Sequence, residues 1–143
     1  TIGDYAFANC QMLLNITLSD SLEEIGAYAF NNCSRLDRIT IPASVSHIGE
    51  YAFYGSALTQ AVFENSNNWT TSGAAFSFSY TYDTQSTTYP PYTRTYTYQL
   101  SNKESAAKAL SESVTITYQT RANGTTASKT FKWYEYEWTR SDS

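Results

Sequence analysis

Histidine, cysteine and charge are scarce in this chain of 143 residues, and each shortage argues against a class of function. One histidine and two cysteines supply too few of the residue types that build zinc sites or Cys–His and Ser–His–Asp catalytic centres. Nine basic residues against thirteen acidic ones give a net charge of −4, whereas nucleic-acid binding requires a basic surface. The composition therefore predicts a chain with no catalytic residues, no metal, no cofactor and no nucleic-acid partner.

Long apolar runs are also missing. No segment approaches the ~20 consecutive apolar residues that cross a bilayer, so we expect no membrane span. Thr1 begins neither a charged leader nor a signal-type apolar core. The chain starts instead inside a repeat, without the strand that precedes the later copies. We therefore expect a mature or excised C-terminal piece of a longer protein, whose open N-terminal repeat face offers a surface for self-association.

What the chain does have is a repeat of fixed period. The segment 25–33, Ile-Gly-Ala-Tyr-Ala-Phe-Asn-Asn-Cys, has an earlier copy at 2–10 and a later copy at 48–56, each a step of 23 residues away. A period of roughly 20–29 residues is typical of leucine-rich solenoids, in which each unit buries its apolar face against the next. Alternating apolar residues between the copies predict a short strand in each unit. The Tyr-Ala-Phe segment predicts a short helix.

Two details refine the repeat. Cys10 and Cys33 occupy the same repeat position, and we expect buried free thiols there, because strands lie ~4.8 Å apart whereas a disulfide prefers Cβ atoms ~3.8 Å apart. In the third copy Gly55 and Ser56 replace Asn and Cys, and Leu58 falls one residue early. These departures predict that the array ends near residue 64.

After residue 64 the composition changes, and residues 65–143 predict an aromatic-rich β cap. Alternating aromatic and β-branched residues predict four strands, near 76–82, 92–100, 114–118 and 131–138. Pro90-Pro91 separates the first two strands and Asn123-Gly124 the last two. A helix near 102–111 is predicted with Ser101 as N-cap and Glu104 completing a capping box, and with Ala106, Ala109 and Leu110 facing the sheet.

The predicted fold class is therefore α/β. Residues 1–64 would form a leucine-rich-repeat solenoid of about three 23-residue repeats, each a short strand plus a short helix. Residues 65–143 would form the β-rich C-terminal cap, with about four strands and one helix.

A family resemblance supports this architecture. The pattern Ile-Gly-x-x-Ala-Phe-x-x-Cys followed by Leu-x-x-Ile-x-Ile-Pro, complete at 25–42, resembles the BspA-type leucine-rich repeat of bacterial surface proteins. The ending Trp138-Thr139-Arg140, after an Ala-Ala-x-x-Leu helix, resembles the extension that follows such repeats. The resemblance implies a curved solenoid with strands lining one face, an extracellular or cell-surface location, and no catalytic residue.

We therefore expect a non-enzymatic binding or adhesion module of a secreted or cell-surface protein, with a protein or extracellular-matrix ligand. Solenoids of this kind bind partners on the strand-lined face. An unused, solvated sheet face is the competing interpretation of the same residues. The candidate ligand-binding residues are the outward-facing strand positions Asn15, Thr17, Arg38, Thr40, Gln60 and Val62.

Two other functions stay open. In one, the chain is a carbohydrate-binding module that uses an exposed aromatic platform, formed by Trp133, Tyr134, Tyr136 and Trp138, although packing of the cap core also accounts for these residues. In the other, the cap only terminates a longer repeat array. His47 and the pair Glu135 and Glu137, on one face of the predicted strand, have no cleft around them, and we assign them no catalytic role.

Overall fold

A computed structural model describes residues 1–141, in which the three copies of the repeat stack on one another. Ile2 bridges Ile25 in parallel, and β1 (Glu24–Ile25) pairs in parallel with β3 (His47–Ile48). Between these strands the chain is tied by backbone bonds to the next copy. For example, the N–H of Phe7 donates to the carbonyl of Ala29 at 2.7 Å, and the N–H of Phe30 donates to that of Ala52 at 2.7 Å.

Identical side chains form continuous columns through the stack. Neighbouring rings lie nearly parallel, with centroids 4.9–5.3 Å apart, and the middle and last phenylalanines are fully buried. Offset stacking of this kind adds to the area that each ring buries. The two columns are Tyr5, Tyr28 and Tyr51, and Phe7, Phe30 and Phe53.

The Tyr-Ala-Phe segments are consecutive turns, so the short helices predicted for the repeats are wrong. Tyr5, Tyr28 and Tyr51 all adopt left-handed backbone conformations, with φ of 60°, 57° and 55°. A residue in this region interrupts a right-handed helix. Alternate N–H groups then point at the neighbouring copy, and bonds between copies replace bonds within a helical turn.

The two cysteines occupy equal positions in the first and second copies of the repeat. Both are free; Cys33 is buried, Cys10 is half-buried, and the Cys33 thiol donates to the carbonyl oxygen of Phe7 at 3.1 Å. The predicted free thiols are therefore confirmed, with Cys10 less covered than expected. Burial raises the pKa of the Cys33 thiol, outweighing the lowering effect of a backbone hydrogen bond involving Cys10.

The two thiols are expected to react at different rates. In the native protein at pH 8, a thiol-specific reagent should modify Cys10 at least about tenfold faster than Cys33, because the reactive species is an accessible thiolate. Mass spectrometry of peptides after timed alkylation measures both rates. Denatured protein is the control, in which the two rates should converge; equal rates in the native state would contradict the burial of Cys33.

A second pair of strands lines another side of the stack. β2 (Arg38–Ile41) pairs in parallel with β4 (Gln60–Phe63), with Arg38 opposite Gln60. Paired residues in β2 and β4 are 22 positions apart in the sequence, whereas paired residues in β1 and β3 are 23 positions apart. The residue that the third copy has lost therefore lies in the turn before β4. β2 ends at the residue before Pro42, where no further strand N–H is needed.

The corresponding segment of the first copy, residues 15–18, forms no strand, and the strand predicted there is wrong. Among residues 1–141 no backbone hydrogen bond joins this segment to β2. The preceding turn exposes Met12 and Leu14, at 75% and 58%, and only Leu18 is buried in the segment itself. Too little apolar surface is buried there to hold the segment against β2.

The cap extends the sheet of the repeats. β5 (Trp69–Thr71) and β10 (Trp138–Arg140) complete a four-stranded sheet in the order β1-β3-β10-β5, and β10 runs antiparallel to β3 with Trp138 opposite Ile48. A 3-10 helix at Trp133–Glu135 precedes β10, and its Tyr134 carbonyl accepts the N–H of Tyr51 at 2.8 Å. The strand predicted at 131–138 is therefore wrong: its residues divide between the end of a strand, this helix and β10.

Ala106, Ala109 and Leu110 of the cap helix α1 (Lys103–Ser111) are buried, as the sequence predicts, but the helix packs on β4 of the repeats and not on the cap strands expected. Its N-cap is Asn102, whose side-chain oxygen accepts the N–H of Ser105 at 2.9 Å. The predicted cap at Ser101 is one residue too early, because the amide oxygen of Asn102 occupies the capping position.

Two hairpins complete the cap. β6 (Ser77–Tyr82) pairs with β7 (Tyr92–Thr97), and β8 (Val114–Gln119) pairs with β9 (Thr126–Phe131), each antiparallel. Their inner faces meet through aromatic rings. Their outer faces carry cross-strand Ser and Thr hydroxyl pairs 3.0–3.1 Å apart. The inner ring contacts include Phe78 with Tyr118 at 5.2 Å and Phe78 with Phe131 at 5.6 Å.

Candidate functional site

The structure brings most of the predicted strand-face residues together. A depression of about 210 Å³ is lined by residues from all three copies, with Ile16 and Ile39 among them. Strand alternation positions these side chains, because Ile39 and Ile41 point inward while Arg38 and Thr40 point outward. The predicted residues that line this depression are Asn15, Arg38, Thr40, Gln60 and Val62.

Thr17, the sixth predicted residue, lines an adjoining depression of about 260 Å³. The two depressions share Ile16 and Thr40, so they form one elongated surface, which we call the strand face. Asp20 and Glu64 line its second half. The sequence pattern indicates neither carboxylate, because each lies just beyond the predicted strand positions, where alternation gives no signal.

The strand face combines three kinds of contact. Thr, Asn and Gln side chains supply neutral hydrogen-bonding groups, Val62 is 42% exposed opposite Thr40, and Arg38 lines the first depression whereas the carboxylates of Asp20 and Glu64 line the second. The edge of β2 that faces residues 15–18 forms no backbone hydrogen bond to that segment. An unpaired strand edge can accept an extended chain through main-chain bonds.

The four residues of the expected aromatic platform are not arranged as one. Trp133 and Trp138 are each only 1% exposed, so neither offers a face to a ligand. Tyr134 stacks on Tyr54 at 4.8 Å. The ring of Tyr136 lies against the backbone of Gly73, where an added Cβ would lie 2.3 Å from the ring. The 3-10 helix and β10 bury the two tryptophans, which is the packing alternative that the sequence left open.

His47, Glu135 and Glu137 line none of the cavities described within residues 1–141. His47 Nε2 lies 3.8 Å from Glu137 Oε2 at the surface. Glu135 belongs to the 3-10 helix and Glu137 follows it, so the two carboxylates do not share a strand face as predicted. Among residues 1–141, no group of three or more His, Cys, Asp or Glu side chains is placed to hold a metal ion. No helix within the same residues is long and apolar enough to cross a membrane.

Comparison with known proteins identifies the repeat. A family model described as BspA type Leucine rich repeat region (6 copies) matches residues 1–119, which is more than half of the chain and extends past residue 64. The match confirms the resemblance seen in the Ile-Gly-x-x-Ala-Phe-x-x-Cys pattern. No curated protein and no solved structure matches the chain. The chain therefore belongs to the BspA-type leucine-rich-repeat family.

Proposed function

We propose that this chain is a non-enzymatic binding or adhesion module of a secreted or cell-surface protein, with a protein or extracellular-matrix ligand on the strand face. Proteins with BspA-type repeats are typically at the surface or secreted, and leucine-rich-repeat domains often bind proteins. The observation that carries the proposal is that outward-facing side chains of three successive copies line two adjoining depressions.

In this proposal the first 64 residues are the end of a curved solenoid, of about three 23-residue repeats, and residues 65–143 are its cap. The stacked tyrosine and phenylalanine columns support the solenoid, because they repeat at the period of the sequence. β10 supports the cap, because it pairs with β3 on the last copy. In this role the cap both seals the apolar end of the array and fixes the strand face.

The chemistry of the strand face favours an extended polypeptide ligand. The edge of β2 that faces residues 15–18 forms no backbone hydrogen bond to them, so its main-chain donors and acceptors can pair with a ligand strand, as in β-strand addition. Arg38 favours an acidic side chain at one end of the ligand, and the carboxylates of Asp20 and Glu64 favour a basic side chain at the other. Exposed Val62 supplies an apolar contact between them.

A selection experiment tests this proposal. Random peptides displayed on phage, together with purified extracellular-matrix proteins, are selected on the wild-type chain, and the affinity of each binder is then measured for the Arg38→Ala/Thr40→Ala variant. Both side chains point outward, so the fold should be unchanged while binding weakens by at least about tenfold.

The matched control is Thr117→Ala/Ser128→Ala, which removes two outward-facing strand side chains from the hairpin β8–β9. This variant should bind as the wild type does. If the selected ligands bind the Arg38→Ala/Thr40→Ala variant as tightly as the wild type but bind the control variant weakly, the proposal is wrong and the ligand site lies on the cap hairpins.

Self-association is a second use of the repeats that the geometry supports. The carbonyls of Ala27 and Ala29 accept bonds from the first copy, whereas their counterparts in the first copy, Ala6 and the residue before Tyr5, accept none within residues 1–141. Tyr5 is 61% exposed on the same face. A partner must supply N–H donors at alternate residues to match this face.

A further inference from the structure

A separate cavity of about 320 Å³ lies in the cap, where the loop 66–68 meets the chain between β7 and α1. We call it the amide pocket. Trp69 and Phe76 line it and are only 7% and 8% exposed, so they form its base. Exposed polar side chains form its rim: Asn67, Asn68, Gln99 and Ser101.

The loop that carries the two asparagines is held by its own hydrogen bonds. The side-chain oxygen of Asn65 accepts the N–H of Asn67 at 3.1 Å, and its carbonyl accepts the indole N–H of Trp69 at 2.9 Å. Asn68 has a left-handed backbone, with φ of 65°, and its carbonyl accepts the N–H of Ser141 at 3.1 Å. These bonds hold the backbone of the loop in place, so binding need not order that backbone, which lowers the entropy cost.

Three of the four rim groups are available to a ligand, whereas the side-chain amide of Gln99 donates to the carbonyl of Thr97 at 3.4 Å. Within residues 1–141 the side-chain amides of Asn67 and Asn68 and the hydroxyl of Ser101 form no hydrogen bond with the protein. Each amide can donate and accept at once, which is the pattern that a sugar hydroxyl requires. Trp69 and Phe76 add a small apolar surface at the base, against which the C–H groups of a sugar ring can pack.

Charge and size narrow the ligand class. None of the described residues that line the pocket carries a formal charge, so a charged ligand would lose hydration there without gaining an ion pair. Ligand pockets span roughly 300–1,000 Å³, and this one lies near the lower limit. We propose that the amide pocket binds a neutral pyranose sugar, such as a terminal hexose or N-acetylhexosamine of a glycan. This site is independent of the strand face and of its proposed ligand.

Nuclear magnetic resonance tests the proposal directly. The full ¹⁵N-labelled chain is titrated with the methyl glycosides of glucose, galactose, mannose and N-acetylglucosamine, and with glucuronate as the charged counterpart. At least one neutral glycoside should shift the side-chain amide signals of Asn67 and Asn68 and the indole N–H of Trp69, in a saturable way. Glucuronate should bind more weakly than glucose.

The variant Asn67→Ala/Asn68→Gly removes both amides, and glycine keeps the left-handed backbone at position 68. It should bind the same glycoside at least about tenfold more weakly, since two hydrogen bonds are lost. Gln119→Ala, which removes an amide from β8 outside the pocket, should bind normally. Unchanged binding by the double variant, tighter binding of glucuronate, or no shift at the pocket with any neutral glycoside would overturn the proposal.

Discussion

Replacing Trp138 with alanine is expected to destabilise the protein by ~3–5 kcal/mol, as for other fully buried aromatic residues. Its side chain is 1% exposed, and its ring lies 4.9 Å from Phe76 and 6.0 Å from Phe63, measured between centroids. The indole N–H donates to the carbonyl of Trp133 at 2.9 Å. Removing the side chain leaves a cavity at the junction of repeats and cap and takes away one of the two hydrogen bonds that the Trp133 carbonyl accepts, the other coming from the N–H of Tyr136.

The position of Trp138 explains why the loss should spread. Its backbone pairs with Ile48 of the last repeat copy on one side and with Thr71 of the cap on the other. A cavity there weakens the contacts of both parts at once. Since small domains are stable by only ~5–15 kcal/mol, the alanine variant should lose a large share of its stability.

Chemical denaturation followed by circular dichroism measures the effect. Tyr89→Ala is the matched control, because Tyr89 is an aromatic residue of the cap that is 69% exposed, and its replacement should change stability little. Trp138→Phe provides a readout if the alanine variant does not fold, and it should give a smaller loss. Equal stability of the wild type and Trp138→Phe, together with a stable Trp138→Ala, would contradict the assigned role.

Gly49→Ala is expected to cost about 3 kcal/mol, at the upper end for overpacked sites. A Cβ at position 49 would lie 2.3 Å from the backbone nitrogen of Ala27 and 2.6 Å from its Cα. Backbone atoms cannot rotate away as a flexible side chain can. The substitution therefore forces the second and third copies apart, and with them the ring columns.

The same substitution at the same repeat position supplies the control. A Cβ added at Gly3 would meet nothing within 4 Å, because no copy precedes the first one in the structure. Gly3→Ala should therefore keep wild-type stability, within about 0.5 kcal/mol. Thermal unfolding of both variants gives the comparison. Equal losses of stability in the Gly3→Ala and Gly49→Ala variants would contradict this prediction. They would mean that glycine is needed for the conformation of its own turn and not for the contact between copies.

The period of the sequence determined which residues meet along the stack. Copies that repeat every 23 residues and stack must bring equal positions into contact, which is why Tyr28 lies between Tyr5 and Tyr51. The one-residue deletion before β4 was likewise readable, because Leu58 departs from the spacing. Strand alternation also predicted the outward-facing side chains that the strand face gathers.

Local conformation was harder to predict, because contacts between copies override local preference. Alanine in the Tyr-Ala-Phe segment favours a helix, yet the N–H of Phe30 donates to the carbonyl of Ala52 in the next copy. In the run 131–138, five of the eight residues are aromatic and alternate in part with glutamates, which predicts a strand although a 3-10 helix interrupts the run. The N–H of Tyr51 donates to the carbonyl of Tyr134, and Tyr134 lies in the 3-10 helix.

The sequence by itself therefore determined the repeat, the family, the stacked columns and most of the strand face. These follow from the spacing of residue types along the chain, which can be read without knowing which distant segments pack together. Only the tertiary structure decided that Trp133 and Trp138 are buried, that Asp20 and Glu64 join the strand face, and that an amide pocket exists. Each of these depends on segments far apart in sequence that pack together, and no periodicity records which distant segments will meet.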